Sequence, residues 1–231
     1  NLAILAFYGL EGGMLTTDGI PVFPKGKHAY GVDIAAEHAR TFGAEVIISL
    51  IDAWVMDANT LQQFGAKWVP WFPIDCEPLA PPIKNQVAKA YRRIVFSKYG
   101  ERIVNEAGLD CYYVPHAVET DVYKPVDRAA AREHLKLPAD KFIVGMVAAN
   151  KGYPPRKAFF QNIEAFARFH KKHPDTLLYL HTQPGGQANI EVNLVEYCQS
   201  VGLATGDDVR FAHPYQLWVG YPEQSMVDIY N

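Results

Sequence analysis

Nowhere in the 231 residues does an apolar run reach the roughly 20 positions that a membrane helix needs, and no signal peptide is visible. Gly-x-Gly-x-x-Gly is absent, as is the P-loop pattern Gly-x-x-x-x-Gly-Lys-[Ser/Thr]. Two glycine-built cradles for phosphate are thereby excluded. No Asp-x-Asp pair is present to hold a divalent metal; Asp207 and Asp208 are adjacent and begin a strand. Cysteine is scarce. Cys76, Cys111 and Cys198 are odd in number and far apart. They fit neither a zinc spacing nor a disulfide framework, read as core residues, and point to a reducing compartment, the cytoplasm, with peripheral membrane attachment left open. No Ser-His-Asp or Cys-His order stands out. A net charge of −3 excludes nucleic-acid binding by bulk electrostatics, so any anion site must be local.

What is present is an ordinary globular composition, 49% hydrophobic and 20% charged, laid out in alternation. The β-rich runs are "LAILAF", "IPVFP", "EVIISLI", "KWVPWFP", "RIVFS" and "CYYVPH". Between the later ones lie helical stretches. "DIAAEHARTF" ends at Gly43 and "NTLQQF" at Gly65, while "IKNQVAKAY" follows Pro81 and Pro82. "KYGERIVNEA" places Tyr99, Ile103, Val104 and Ala107 on one face and ends at Gly108. Strands alternating with helices predict parallel sheets covered by helices, and near-continuous apolar strands predict burial on both faces.

The polar, proline-bounded run "PHAVETDVYKPVD" reads as a linker. Beyond it Asp127 is placed to cap the helix "RAAAREHLKL". The strand "KFIVGMVA" follows, then a helix that buries Phe159, Phe160, Ile163, Phe166 and Ala167. "TLLYLH" and "DVRFA" read as strands around the helix "NIEVNLVEYCQSV". Two α/β units are expected, residues 1–124 and 125–231. The chain opens directly in an apolar run and closes on "SMVDIYN", the first turns of a helix, so a fragment cut at both ends is expected.

One loop stands out chemically. "AANKGYPPRKAFF" puts Lys151, Arg156 and Lys157 between a strand and a helix. Ligands of open α/β sheets bind beyond the carboxyl ends of the strands. A helix start carries roughly half a positive charge, so adding cations there costs about 0.3–1 kcal/mol unless an anion binds. A lysine about 4 Å from a phosphate charge gains about 4 kcal/mol at an effective dielectric near 20. A bound diphosphate would outweigh the cost; a solvated turn, with Pro154 and Pro155 merely starting the helix, is the plainer alternative.

The runs "VFSKYGERIVNEAGLDCYYVPHAVETDVYKP", "REHLKLPADKFIVGMVAANKG" and "PRKAFFQNIEAFARFHKKHPDTLLYLHT", taken in order, resemble the group 1 retaining glycosyltransferases of the GT-B fold. The similarity covers about residues 93–231 well and the first 92 loosely. It implies two Rossmann-like α/β/α domains facing a cleft, both incomplete here. The N-terminal domain would take the acceptor, which could be a saccharide, a lipid, a protein or a nucleic acid. The C-terminal domain would take a nucleoside-diphosphate sugar as donor substrate, with no metal and no resident cofactor. Lys157 matches the family lysine on the donor diphosphate. Asn150 and Lys151 stand where the family has an arginine, so Lys151, Asn150 and Arg156 are candidates for the second contact. Without a metal, protein cations must stabilise the departing diphosphate. The resemblance also implies that a first strand before Asn1 and an acidic Glu-x7-Glu segment after Asn231 are missing, which would leave the chain as given inactive.

Other candidates follow the same two readings. Asp75, in the Pro-rich loop after "KWVPWF", either positions or deprotonates an acceptor hydroxyl or closes an Asx turn; Glu77 is a weaker candidate. His181 and Thr182 end a strand and form either a donor-side cleft wall, near Gly185 and Gly186, or satisfied structural groups. Ser97 reads as a helix cap, His116 as hinge structure, His170 and His173 as solvated, and Asp52 as an exposed loop residue. A non-catalytic two-domain sugar-binding protein and a GT-B sugar-nucleotide epimerase are the competing functions.

Overall fold

The computed structural model describes residues 1–185 and 192–231; Gly186 and the first residues of the helix expected from Asn189 lie outside them. The chain divides into two compact units, Asn1–Ala117 and Val118–Asn231. The division falls earlier than the position near residue 124 expected from composition. Residues 118–126 belong with the second unit because its C-terminal residue holds them: Asn231 accepts from the Val126 N–H through Oδ1 (3.0 Å) and donates through Nδ2 to the Lys124 carbonyl (3.4 Å).

In the first unit the chain forms β1 (Ile4–Ala6), β2 (Leu15–Thr17), β3 (Ile20–Pro24), α1 (Val32–Phe42), β4 (Val46–Leu50) and the short α2 (Ala58–Leu61). It continues with β5 (Lys67–Phe72), α3 (Pro81–Val87), β6 (Ile94–Val95), α4 (Lys98–Glu106) and β7 (Tyr112–Tyr113). One sheet has the order β1-β3-β2 and a second, wholly parallel, β4-β5-β6-β7. β2 is an element the patterning missed, as is the helix at Pro214–Val219 in the second unit. β2 pairs antiparallel to β3 through Asp18 (φ 49°) and Gly19 (φ 77°). Two positive φ values in a row define the type I′ hairpin that an Asp-Gly pair favours, so the signal was in the sequence.

The second unit contains α5 (Arg128–His134), β8 (Phe142–Val147), α6 (Phe159–His170) and β9 (Thr176–His181). It continues with α7 (Leu194–Ser200), β10 (Val209–Phe211), α8 (Pro214–Val219) and α9 (Glu223–Ile229). Its sheet, β10-β9-β8, is parallel throughout. β9 is central and buried at every position. α6 packs on it as its period requires, with Phe159, Ile163 and Phe166 buried and Phe160 and Ala167 partly so. Each of the three buried side chains contributes about 1.5–3 kcal/mol.

Helix ends follow capping chemistry. Ser97 Oγ accepts from the Gly100 N–H (3.0 Å) and Asp127 Oδ1 from the Ala130 N–H (2.8 Å). Gly43 closes α1 in the left-handed conformation, φ 77°. "NTLQQF" is not one helix: Phe64 sits at φ 58° and splits the run into α2 and a 3-10 turn. Tyr99 faces solvent instead of the core, with the Arg102 guanidinium over its ring, while Ile103 and Val104 are buried as expected. Burial on both faces holds for β9 but not for the strands at sheet edges. β4 leaves Val46, Ile48 and Leu50 exposed. Among the described residues no helix is long and apolar enough to cross a membrane.

Candidate functional site

The basic loop leaves β8 at its carboxyl end and is anchored at its root. Asn150 is buried. Its backbone N–H donates to Thr182 Oγ1 (2.9 Å), and its side-chain amide donates to the carbonyls of Gln183 (3.2 Å) and Val192 (2.7 Å). Its amide oxygen accepts from the Val192 N–H (3.3 Å). Both amide hydrogens are therefore spent inside the protein. Asn150 is the clamp that ties the end of β8 to the turn after β9, and that commitment argues against an Asn150 amide contact with diphosphate. Gly185 belongs to the same closure. At φ 132°, a Cβ there would come within 2.9 Å of the Asn193 Cα and the Val192 carbonyl oxygen. Asn150→Ala is expected to destabilise the second unit by about 2–4 kcal/mol, because it strands the Val192 N–H and two carbonyls; urea unfolding measures this.

From that root, Lys151, Arg156 and Lys157 are all exposed, while Pro155 between them is buried. None of the three cations forms an ion pair or side-chain hydrogen bond among the described residues. The loop ends at Ala158, which takes the left-handed conformation (φ 54°, ψ 38°) and starts α6 with no side-chain cap. The first turn of α6 holds no acidic residue. The exposed cations beside this helix start thus face solvent with no acidic residue in the first turn, an arrangement suited to phosphate oxygens.

His181 and Thr182 are buried. His181 Nδ1 lies 3.2 Å from the Tyr179 hydroxyl, and its ring meets Tyr221 edge-on with centroids 4.6 Å apart. The Tyr221 hydroxyl in turn accepts from the His213 N–H (2.8 Å), tying down the start of α8. Burial lowers the His181 pKa, and burial with the neighbouring Tyr221 raises that of Tyr179. His181 is thus held neutral in the fold. Its ordinary value is 6.5, so the stabilisation is present above that pH and is lost as pH falls through the lower folded value. Thermal unfolding from pH 7 downwards is expected to show the second unit losing stability below about pH 6.5, and His181→Asn to reduce that slope.

In the first unit, Asp75 lies just past the carboxyl end of β5 and is exposed, with no hydrogen bond to its carboxylate among the described residues. Glu77 is engaged: Arg102 grips both its oxygens, at 3.2 and 2.8 Å, and also Glu106 at 2.9 Å. The Arg102 hydrogen bonds hold the Glu77 carboxyl below its ordinary range. Of the two acidic residues in the loop, Asp75 is the one with no partner among the described residues. His116 packs on Phe96 (4.1 Å between centroids) and Trp71 (5.1 Å), and Trp71 Nε1 donates to the Val114 carbonyl (2.9 Å). This group closes the carboxyl ends of β5, β6 and β7. Asp52 is exposed, as expected.

Two residues hold the fold in ways the sequence did not suggest. His170 is not solvated: Nδ1 meets Thr176 Oγ1 (2.9 Å) and Nε2 meets Asp208 Oδ1 (3.1 Å). His173 is exposed, as expected. Arg93 is buried, with Nε donating to the Val87 carbonyl (2.7 Å), Nη2 to the Ala88 carbonyl (3.1 Å) and Nη1 to Asp110 Oδ1 (3.1 Å). Cys198 is buried, whereas Cys76 and Cys111 are half-buried; all three are free thiols. Among the described residues no group of His, Cys, Asp and Glu is placed to hold a metal ion. In comparisons with known proteins, no protein-family model matches the chain. No curated protein matches it significantly in sequence.

Proposed function

We propose that the second unit binds the diphosphate of a nucleoside-diphosphate sugar on its basic loop, and that the chain is part of a retaining glycosyltransferase of GT-B type. The observation that carries this reading is the loop itself. Three exposed cations without protein partners among the described residues stand at the carboxyl end of a parallel strand, next to a helix start with no side-chain cap and no acid in its first turn. The ordered sequence resemblance supports the same assignment, with Lys157 as the principal diphosphate contact and Lys151 or Arg156 as the second. Binding through protein cations needs no divalent metal. The leaving diphosphate, which gains negative charge as the glycosidic bond breaks, is stabilised by the groups that hold it in the ground state. Asp75, free at the end of a strand in the first unit, is the residue proposed to orient an acceptor hydroxyl.

Calorimetric titration of nucleoside diphosphates against free sugars, in EDTA, tests the reading. Diphosphate is expected to bind and free sugar not to. The reverse result makes the protein a sugar binder. Conversion of the donor sugar with no acceptor present would mark an epimerase.

A further inference from the structure

We infer that Asp18 is a site of spontaneous covalent modification, where the side chain closes on the Gly19 backbone nitrogen and the peptide link is rewritten as isoaspartate. This inference is independent of the proposed function. Asp18 and Gly19 form the whole turn between β2 and β3, with Thr17 and Ile20 as the closing pair. Asp18 is the sole aspartate in the chain that precedes glycine, and no asparagine does.

The reaction needs an electrophile, a nucleophile and access between them. The electrophile is Asp18 Cγ. Asp18 is exposed, and its carboxylate accepts no hydrogen bond among the described residues. Several other aspartates are committed. Asp33 Oδ2 accepts from the Lys27 and His28 N–H groups (2.7 and 3.2 Å), Asp57 Oδ1 from the Thr60 N–H (2.7 Å) and Asp208 Oδ2 from the Ala204 N–H (2.8 Å). The nucleophile is the Gly19 nitrogen. Its N–H lies in the turn, outside the ladder, and has no acceptor among the described residues. Glycine has no side chain to shield that nitrogen, and the space where a Cβ would stand is open to 4 Å.

In a type I′ turn the Asp18 side chain and the Gly19 nitrogen lie on opposite sides of the Cα–C bond, so the turn must open first. The fold makes that opening easy. β2 is exposed at all three positions and is paired only to β3. Its Thr16 faces Pro21, which has no N–H to give. Elements with so little burial open at low free energy.

Once the turn is open, the Gly19 nitrogen attacks Asp18 Cγ. The N–Cγ bond forms, the Cγ–OH bond breaks, and the hydroxyl leaves with the amide proton as water. The product is a five-membered succinimide. Water that adds at Cγ restores aspartate. Water that adds at the Asp18 carbonyl carbon breaks the original peptide bond and leaves the chain running through Cβ and Cγ. The turn is then one main-chain atom longer. A two-residue hairpin loop of this type depends on two consecutive residues at positive φ, so β2 is released, while β3 keeps its parallel pairing to β1.

The test is to hold the 231-residue chain folded in neutral buffer at physiological temperature for several weeks and digest it with trypsin. In the peptide 1–25 Asp18 is the only aspartate. An isomer of equal mass is expected there, separated by chromatography and located by electron-transfer fragmentation, at about tenfold the level found at any other aspartate. Asp18→Gly, which keeps a residue pair suited to the turn, is expected to show none. Amide exchange in β2 of the modified chain is expected to quicken about tenfold, with β5 unchanged. Absence of the isomer at Asp18, equal levels at other aspartates, or an isomer that forms only in the urea-unfolded chain would overturn the inference. So would a modified chain whose β2 exchanges as in the parent.

Discussion

Lys157→Ala is expected to weaken nucleoside-diphosphate binding by about ten- to a hundredfold. Removing a charged hydrogen-bond donor costs about 1.5–3 kcal/mol, and each 1.4 kcal/mol is a factor of ten. The size follows from the surroundings of the residue. Lys157 is exposed beside the start of α6 and has no anionic partner among the described residues, so its charge is not committed elsewhere. Its removal should leave stability nearly unchanged, because the loop is held by Asn150 at one end and by buried Phe159 at the other. Lys151→Ala and Arg156→Ala, measured the same way, identify the second contact: the one with the larger loss fills the role of the arginine that is missing. Calorimetry gives the affinity and urea unfolding the stability. Binding by Lys157→Ala equal to that of the parent removes the loop from the site.

Arg93→Leu is expected to destabilise the first unit by about 1–3 kcal/mol. The guanidinium donates to the carbonyls of Val87 and Ala88, which close α3, and to Asp110, which precedes β7. The last carbonyls of a helix have no partner within it; leucine would leave the Val87 carbonyl with the Ala90 N–H alone (3.1 Å) and deprive the Ala88 carbonyl of the guanidinium, at about 1–3 kcal/mol in all. The Asp110 side chain is 83% exposed, so the ion pair itself contributes little. Asp110→Ala should therefore cost less than about 1 kcal/mol. Urea unfolding of the two variants separates the carbonyl cage from the ion pair. Equal losses would show that the charge pair, and not the capping of α3, holds this corner.

Local periodicity carried much of the fold. Phe159, Ile163 and Phe166 announced α6, the apolar run of β9 announced a strand, and Ser97 and Asp127 announced their helix starts, because each signal lies within one turn or one strand. What escaped depended on distant partners. The Asn150 clamp joins positions 32 to 42 residues apart, and no local pattern separates a clamping asparagine from a ligand-binding one. His170 has the composition of a solvated helix end until β9 and β10 bring Thr176 and Asp208 to it. β4 has the sequence of a strand buried on both faces but sits at a sheet edge, where strand order decides exposure. For the candidate site, the sequence located the basic loop and its cations. It did not divide them into anchor and ligand: Asn150 is the anchor, and the exposed Lys151, Arg156 and Lys157 remain for the anion.

The most direct test of the account is amide hydrogen exchange with and without a nucleoside diphosphate in EDTA. Protection is predicted across the loop at 148–158 and the first turn of α6, with the first unit unchanged. Protection elsewhere, protection that requires a divalent metal, or none at all would contradict the assignment of this loop as a diphosphate site.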